Sequence, residues 1–241
     1  MKSNKLAINN RLIKKTFSSA HKNYFLIGIS GGVDSAVCLK MLIKLFGKDK
    51  VLPYYLPIGE SNNTNEITLL AQDCGINIPT VDLSSLHKQL VKDLNLNNKD
   101  NINNLKPKIR ALFLSSIAFE KNGLVVSCLN YDEYYLGYFT KNGDSAGDVF
   151  PLINFCKREV YSLASKYNVP SKIISKQPSA DLYLGQLDEQ ELGLTYEEID
   201  NYLQYKKVTK KVIDKIKLLK AKNEHKQVLN KYLFKNNLRN L

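Results

Sequence analysis

The residues of this sequence best suited to chemistry are Ser30-Gly31-Gly32-Val33-Asp34-Ser35, which close the apolar run Tyr24 to Ile29 and open a helical pattern from Ala36 to Phe46. Two adjacent glycines let backbone amides point inward with no Cβ in the way, and the helix N-terminus that follows adds partial positive charge. The chemistry predicted is anion binding, phosphate above all. Three lookalikes fit less well. Gly28-Ile29-Ser30-Gly31-Gly32 matches the G-x-S-x-G nucleophile elbow, but that hydrolase needs a histidine base after its acid. Of the three histidines only His87 and His225 lie downstream, and His225 sits in a lysine-rich terminal segment. A Walker loop would require Gly-Lys-Ser/Thr after the glycines. A purely structural glycine turn leaves Asp34 and Ser35 unexplained.

The elements that must position this loop can be read from hydrophobic periodicity. Leu6, Ile8, Leu12, Ile13 and Phe17 predict a leading helix; strand 24–29 and helix 36–46 follow, with Gly47 as C-cap. Residues 51–57 read as a second strand, 65–74 as a helix stopped by Gly75, and 76–82 as a third short strand. This β-α-β-α-β alternation predicts an α/β fold with a doubly wound parallel sheet, ligands at the carboxyl ends of its strands. The asparagine-rich stretch 95–104 reads as a linker or mobile loop. A helix is expected with Pro107 in its first turn and its end near Phe119, followed by strand 124–127. Residues 137–149 form a long irregular stretch with three glycines, and such loops are usually functional. A helix over 157–167, a polar loop over 177–194, and two helices, the first N-capped by Thr195, complete the chain.

Composition limits what the cradle can belong to. A chain of 241 residues with 44% hydrophobic content suits one sizeable core. No apolar run approaches the roughly 20 residues of a membrane span, and no signal-peptide pattern stands at the N-terminus. Cys38, Cys74, Cys128 and Cys156 form no C-x-x-C pair, so neither zinc nor redox chemistry is indicated and a cytoplasmic location is expected. The formal charge of +12 is spread along the sequence. Its densest cluster, from Lys206 to Lys222, alternates with Val212, Ile213, Ile216, Leu218 and Leu219, as on an amphipathic helix with a solvated basic face. Neither nucleic acid nor membrane is expected as a partner.

Ser30 to Ser35 resembles the SGGxDS loop of the N-type ATP pyrophosphatases, which adenylate a substrate oxygen and release pyrophosphate. Further segments narrow the resemblance. Gly137-Tyr138-Phe139-Thr140-Lys141-Asn142-Gly143-Asp144, with Asp148 and Pro151, is similar to a signature of the NAD synthetases. Lys157-Arg158-Glu159-Val160, Gln177 to Leu182, Gly185 to Glu189, Glu191 to Asp200 and Glu224-His225-Lys226 resemble further signatures of that family in the same order. The resemblance implies a Rossmann-like fold of the adenine nucleotide alpha hydrolase type. It implies one synthetase domain over 1–241 with no glutaminase domain, free ammonia as nitrogen donor, and a homodimer.

The reaction implied is amidation of deamido-NAD: its nicotinate carboxylate attacks the α-phosphate of ATP, pyrophosphate leaves, and ammonia displaces AMP. ATP would be held by Gly28, Ile29, Ser30, Gly31, Gly32, Val33, Asp34, Ser35, Cys128, Lys157 and Ser179. Asp34 and Glu133 match the ligands of Mg2+. Lys108, Lys141, Asp148, His225 and Lys226 match positions on deamido-NAD. Asp34, Lys157 and Asp148 are the catalytic candidates, with Asp148 placed to orient or deprotonate the incoming ammonium. The sequence departs from the family in four places. Lys108 replaces an arginine and loses its bidentate fork, Cys128 puts a thiol where a hydroxyl is usual, and Ser145-Ala146 and Ser179 replace a glycine pair and a threonine. The competing reading, an RNA-modifying enzyme with the same loop, would predict an RNA-binding module or paired cysteines.

Overall fold

The computed structural model describes residues 2–59 and 63–227. In chain order the elements are α1 (Lys2–Ser19), β1 (Tyr24–Gly28), α2 (Val33–Phe46), β2 (Val51–Tyr54), α3 (Thr64–Cys74), α4 (Ser84–Asp93), α5 (Lys99–Glu120) and β3 (Gly123–Val126). The second half contains α6 (Tyr131–Leu136), α7 (Lys157–Lys166), α8 (Ser171–Ile174), α9 (Asp188–Leu192), α10 (Tyr196–Leu203) and α11 (Lys210–Asn223).

β1 is the central strand, paired in parallel with β2 on one side and β3 on the other. Single parallel bridges, Tyr55 with Thr80 and Val126 with Val149, extend the sheet by one step at each edge. The alternation that predicts parallel strands therefore holds, but the expected third strand over 76–82 contracts to the bridge at Thr80. Pro79 lies in that segment with no N–H to give; its carbonyl accepts from Tyr55 at 2.9 Å, and Val81 donates back to Tyr55 O at 2.9 Å.

Both faces of the sheet are covered, so its strands read as continuous apolar runs. Phe25, Ile27, Leu124 and Val126 pack with α2 and α7 residues such as Leu39, Leu42 and Val160. Leu26 and Val125 point the other way, into a cluster with Ile109, Leu114 and Ala118 of α5. A third cluster joins Leu136, Leu192, Ile199, Val212 and Ile216, so α6 and α9 to α11 form a cap beside the sheet.

The asparagine-rich stretch is helix where a loop was expected. The Asn98 side chain accepts from the amides of Asp100 and Asn101, starting α5 at Lys99 and leaving Pro107 inside the helix. A proline there costs about 3 kcal/mol, opposed by burial of Pro107, Ile109, Ala111, Leu114 and Ala118 along the same helix. Expected C-caps do form at Gly47 and Gly75. α4 was not legible, and α9 lies within the expected polar loop.

Candidate active site

The loop after β1 turns at Gly31, whose φ of +82° favours glycine, and whose missing Cβ would stand 3.0 Å from Asn63 Cβ. α2 begins at Val33, so Asp34 and Ser35 occupy its first turn. N-cap Gly32 supplies no side chain to satisfy the first amides. The loop is drawn together by its serines: Gly32 N donates to Ser30 Oγ at 3.3 Å, Ser30 and Ser35 hydroxyls meet at 3.2 Å, and Ser35 Oγ donates to Gly32 O at 3.1 Å.

At its far end the loop meets a buried charge cluster. Lys157 Nζ lies 2.6 Å from Asp34 Oδ2 and 4.0 Å from Glu133 Oε1, with the lysine side chain 3% exposed. Asn130 Nδ2 donates to the other Asp34 oxygen at 3.0 Å. The ammonium also stands over the Tyr196 ring, 4.9 Å from its centroid. Burial disfavours the charged lysine, yet Asp34 and Glu133 outweigh it and raise its pKa. Burial, and then Asp34 beside it, pushes the Glu133 carboxyl well above the usual carboxylate range.

Local structure explains why these groups converge. Asn130 and Glu133 form a reciprocal capping box at the start of α6, which fixes Glu133 one turn after β3. Lys157 is the first residue of α7, and its amide donates to Asp132 Oδ2 at 2.9 Å. The next amide, of Arg158, donates to Asp200 Oδ2 at 2.9 Å. Oδ1 of each of these carboxyls is buried with no other partner. Burial, followed by the neighbouring Asp200, pushes the Asp132 pKa up to about 8.

One cavity of about 580 Å³ runs from the loop to the 176–188 segment. It is lined by Gly28, Ile29, Ser30, Gly32, Val33, Asp34, Ser35, Cys128, Glu133, Lys157 and Ser179, every ATP or metal candidate except Gly31, which shapes the turn. Cys128 neighbours buried Cys38, whose thiol pKa is raised by burial and then by Cys128. The acceptor candidates do not line this cavity. Lys108, Lys141 and His225 are exposed. Asp148 is exposed too, with Oδ2 accepting from Val125 N at 2.8 Å. Lys226 Nζ donates to Gly137 O at 2.7 Å and Phe139 O at 2.8 Å, tying the end of the described chain to the glycine-rich segment.

Residues 6–238 match the family model for NAD synthase. The chain belongs to the NAD synthase family. Among curated relatives, the NH(3)-dependent NAD(+) synthetase of Mycoplasmopsis pulmonis is 39% identical over 219 residues, 90% of this chain and 85% of its own length. Of solved structures, an NMN synthetase from Francisella tularensis superposes with a TM-score of 0.87 at 29% identity, covering 94% of this chain and 95% of that one. The NH3-dependent NAD synthetase of Campylobacter jejuni gives 0.76 at 23% identity, covering 92% and 94%, which shows the shared fold. Family membership makes this chain a ligase by kinship and agrees with the Rossmann-like expectation.

In this NAD synthase, several cavity residues had escaped sequence reasoning: Asn63, Arg110 and Lys176. Arg110 stands in the same Asn104–Arg110 stretch as Lys108, yet it is Arg110 that faces inward, its Nε donating to Leu56 O at 2.9 Å. Helical spacing from buried Pro107 and Ala111 could have shown it. Nothing in the local sequence marks Asn63 or Lys176.

Proposed function

We propose that this chain is an ammonia-dependent NAD synthetase that converts deamido-NAD, ATP and ammonia to NAD, AMP and pyrophosphate through an acyl adenylate. The observation that carries the reading is the Asp34–Lys157–Glu133 cluster set against an uncapped helix N-terminus in a chain of this family. Uncapped amides at the start of α2 suit the departing pyrophosphate, and Lys157 supplies positive charge where negative charge grows. Asp34 and Glu133 offer hard oxygen donors of the kind that suits Mg2+. Bound there, Mg2+ would neutralise the polyphosphate. Ser179 and Cys128 would border the nucleotide.

Asp148, at the edge of β3, would orient the ammonium before it loses a proton and attacks the acyl carbon. Lys108, Lys141, His225 and Lys226 would face deamido-NAD, completed by a second subunit of a homodimer. The match over 6–238 supports one synthetase domain, and kinship with relatives named NH(3)-dependent supports free ammonia as the nitrogen donor. Among the described residues no helix is long and apolar enough to cross a membrane, which agrees with a cytoplasmic enzyme.

The likeness to an NMN synthetase supports a second reading, in which the acceptor is nicotinate mononucleotide. One assay separates the two: purified chain, ATP, Mg2+ and ammonium with each acceptor in turn. NAD and AMP formed from deamido-NAD at the higher kcat/KM supports the first reading. Preference for the mononucleotide replaces it with the second, and no amide from either overturns both.

A further inference from the structure

The 176–188 segment, which carries Ser179, is joined to the phosphate loop through one side chain. Asn63 is 5% exposed at the N-terminus of α3. Its Nδ2 donates to Ser30 O at 2.8 Å and to Asp181 Oδ2 at 2.8 Å, so both amide hydrogens are used. Its Oδ1 accepts from Lys176 Nζ. Asp181 in turn gives its backbone N–H to Ser179 Oγ at 3.0 Å. A continuous set of hydrogen bonds therefore runs from Ser30 through Asn63 and Asp181 to Ser179.

The two lysines of the cavity differ in what neutralises them. Lys157 sits between two carboxylates, and much of its charge is answered within the protein. Lys176 is held by a neutral amide, which orients the ammonium without cancelling its charge. Both line the same cavity as Ser30, Gly32 and Ser35. Among the described residues Lys176 has no ion-pair partner, and a polyphosphate, which carries several negative charges, would engage such an oriented cation first.

We propose that Asn63 is a positioning residue that latches the Ser179 segment to the phosphate loop, and that Lys176, oriented by the same amide, is a second polyphosphate-binding cation. The inference rests on the nucleotide reading given above. It assigns the Lys157 end of the loop to the metal-binding carboxylates and the Asn63 end to direct contact with phosphate oxygens.

The test is equilibrium calorimetry on the full chain with α,β-methylene-ATP and with AMP, alongside steady-state kinetics. Lys176→Met should weaken α,β-methylene-ATP about tenfold and leave AMP within twofold, while Lys176→Arg recovers most of the loss. Asn63→Ala should raise the KM for ATP and lower kcat with the acceptor KM unchanged. Asn63→Asp should do so more strongly, since a carboxylate cannot donate to Ser30 O and would repel Asp181. Because Asn63 is buried and its variants could lose the fold, the half-exposed Lys176 provides the independent arm. Lys176→Met binding α,β-methylene-ATP like the parent, or losing AMP equally, would overturn the proposal. Failure of the parent chain to bind either nucleotide would overturn the nucleotide reading itself and this inference with it.

Discussion

The Lys157 corner and the glycine-rich side of the molecule, residues 137–148, are built on opposite principles. Around Lys157 each charged group has its partner inside the chain: Asp34 from α2 and Glu133 from α6 converge onto a side chain that is 3% exposed, and Asn130 holds the other Asp34 oxygen. On the other side, Lys108, Lys141 and Asp148 are exposed, and the Lys226 side chain reaches the backbone carbonyls of Gly137 and Phe139. Burial makes the first region sensitive to single charges, because an unpaired buried ion costs several kcal/mol, whereas an exposed ion pair is worth about 1 kcal/mol or less. The first region is thus a preorganised electrostatic site, and the second an exposed surface, the one our proposed function gives to the acceptor.

That contrast can be broken most severely at Lys157. Lys157→Met leaves Asp34 and Glu133 facing each other, and kcat/KM should fall on the order of 10³-fold, near 4 kcal/mol; a loss under tenfold, measured by pyrophosphate release, would show that the corner is not electrostatically preorganised. Asp148→Asn should slow amide formation on the order of 10²-fold with adenylate formation, followed by pyrophosphate release without ammonium, at the parental rate. An unchanged rate of amide formation would remove Asp148 from the ammonia step. On the exposed side, Lys108→Arg should tighten the acceptor only about threefold by restoring a planar fork, with the ATP KM unaffected; a larger change would mean that this surface is also preorganised.

The smallest effect concerns pH. Asp132 holds its proton to about pH 8 in the folded chain against a usual value of 3.8, burial being the main cause and Asp200 the next. Between those values the folded chain binds a proton that the unfolded chain releases, so stability should fall as pH rises from about 4 to about 8. In Asp132→Asn the urea midpoint should vary less with pH over this window, a difference read directly from parallel denaturation curves. An identical pH profile would show that Asp132 is not protonated in the folded chain over this window.

Sequence reading succeeded where one local rule decides the structure. The cradle was legible because a strand, two glycines and a helix start are contiguous, and the capping residues Gly47, Gly75 and Thr195 announced themselves. It failed where neighbours in space override local preference. Pro107 argued for a helix start, yet Asn98 caps the chain earlier and tertiary packing carries the helix through the proline. Asn63 and Asp181 lie far apart in sequence and meet only because the parallel crossover returns each segment to the same end of the sheet. Arg110 was hidden by its proximity to Lys108, since only the phase of α5 decides which of the two turns inward.

The two helices that meet at this site treat their positive ends in contrary ways. α2 begins with Gly32 and no side-chain cap, leaving its first-turn amides for a ligand. α7 begins with amides already occupied by Asp132 and Asp200, the protein's own carboxyls. One dipole is therefore kept vacant for a transient anion and the other is permanently quenched, so α7 offers the reaction the Lys157 side chain but not its axis. An anion drifting into the cavity meets one attractive helix end rather than two, which gives the polyphosphate a single polarity along which to align.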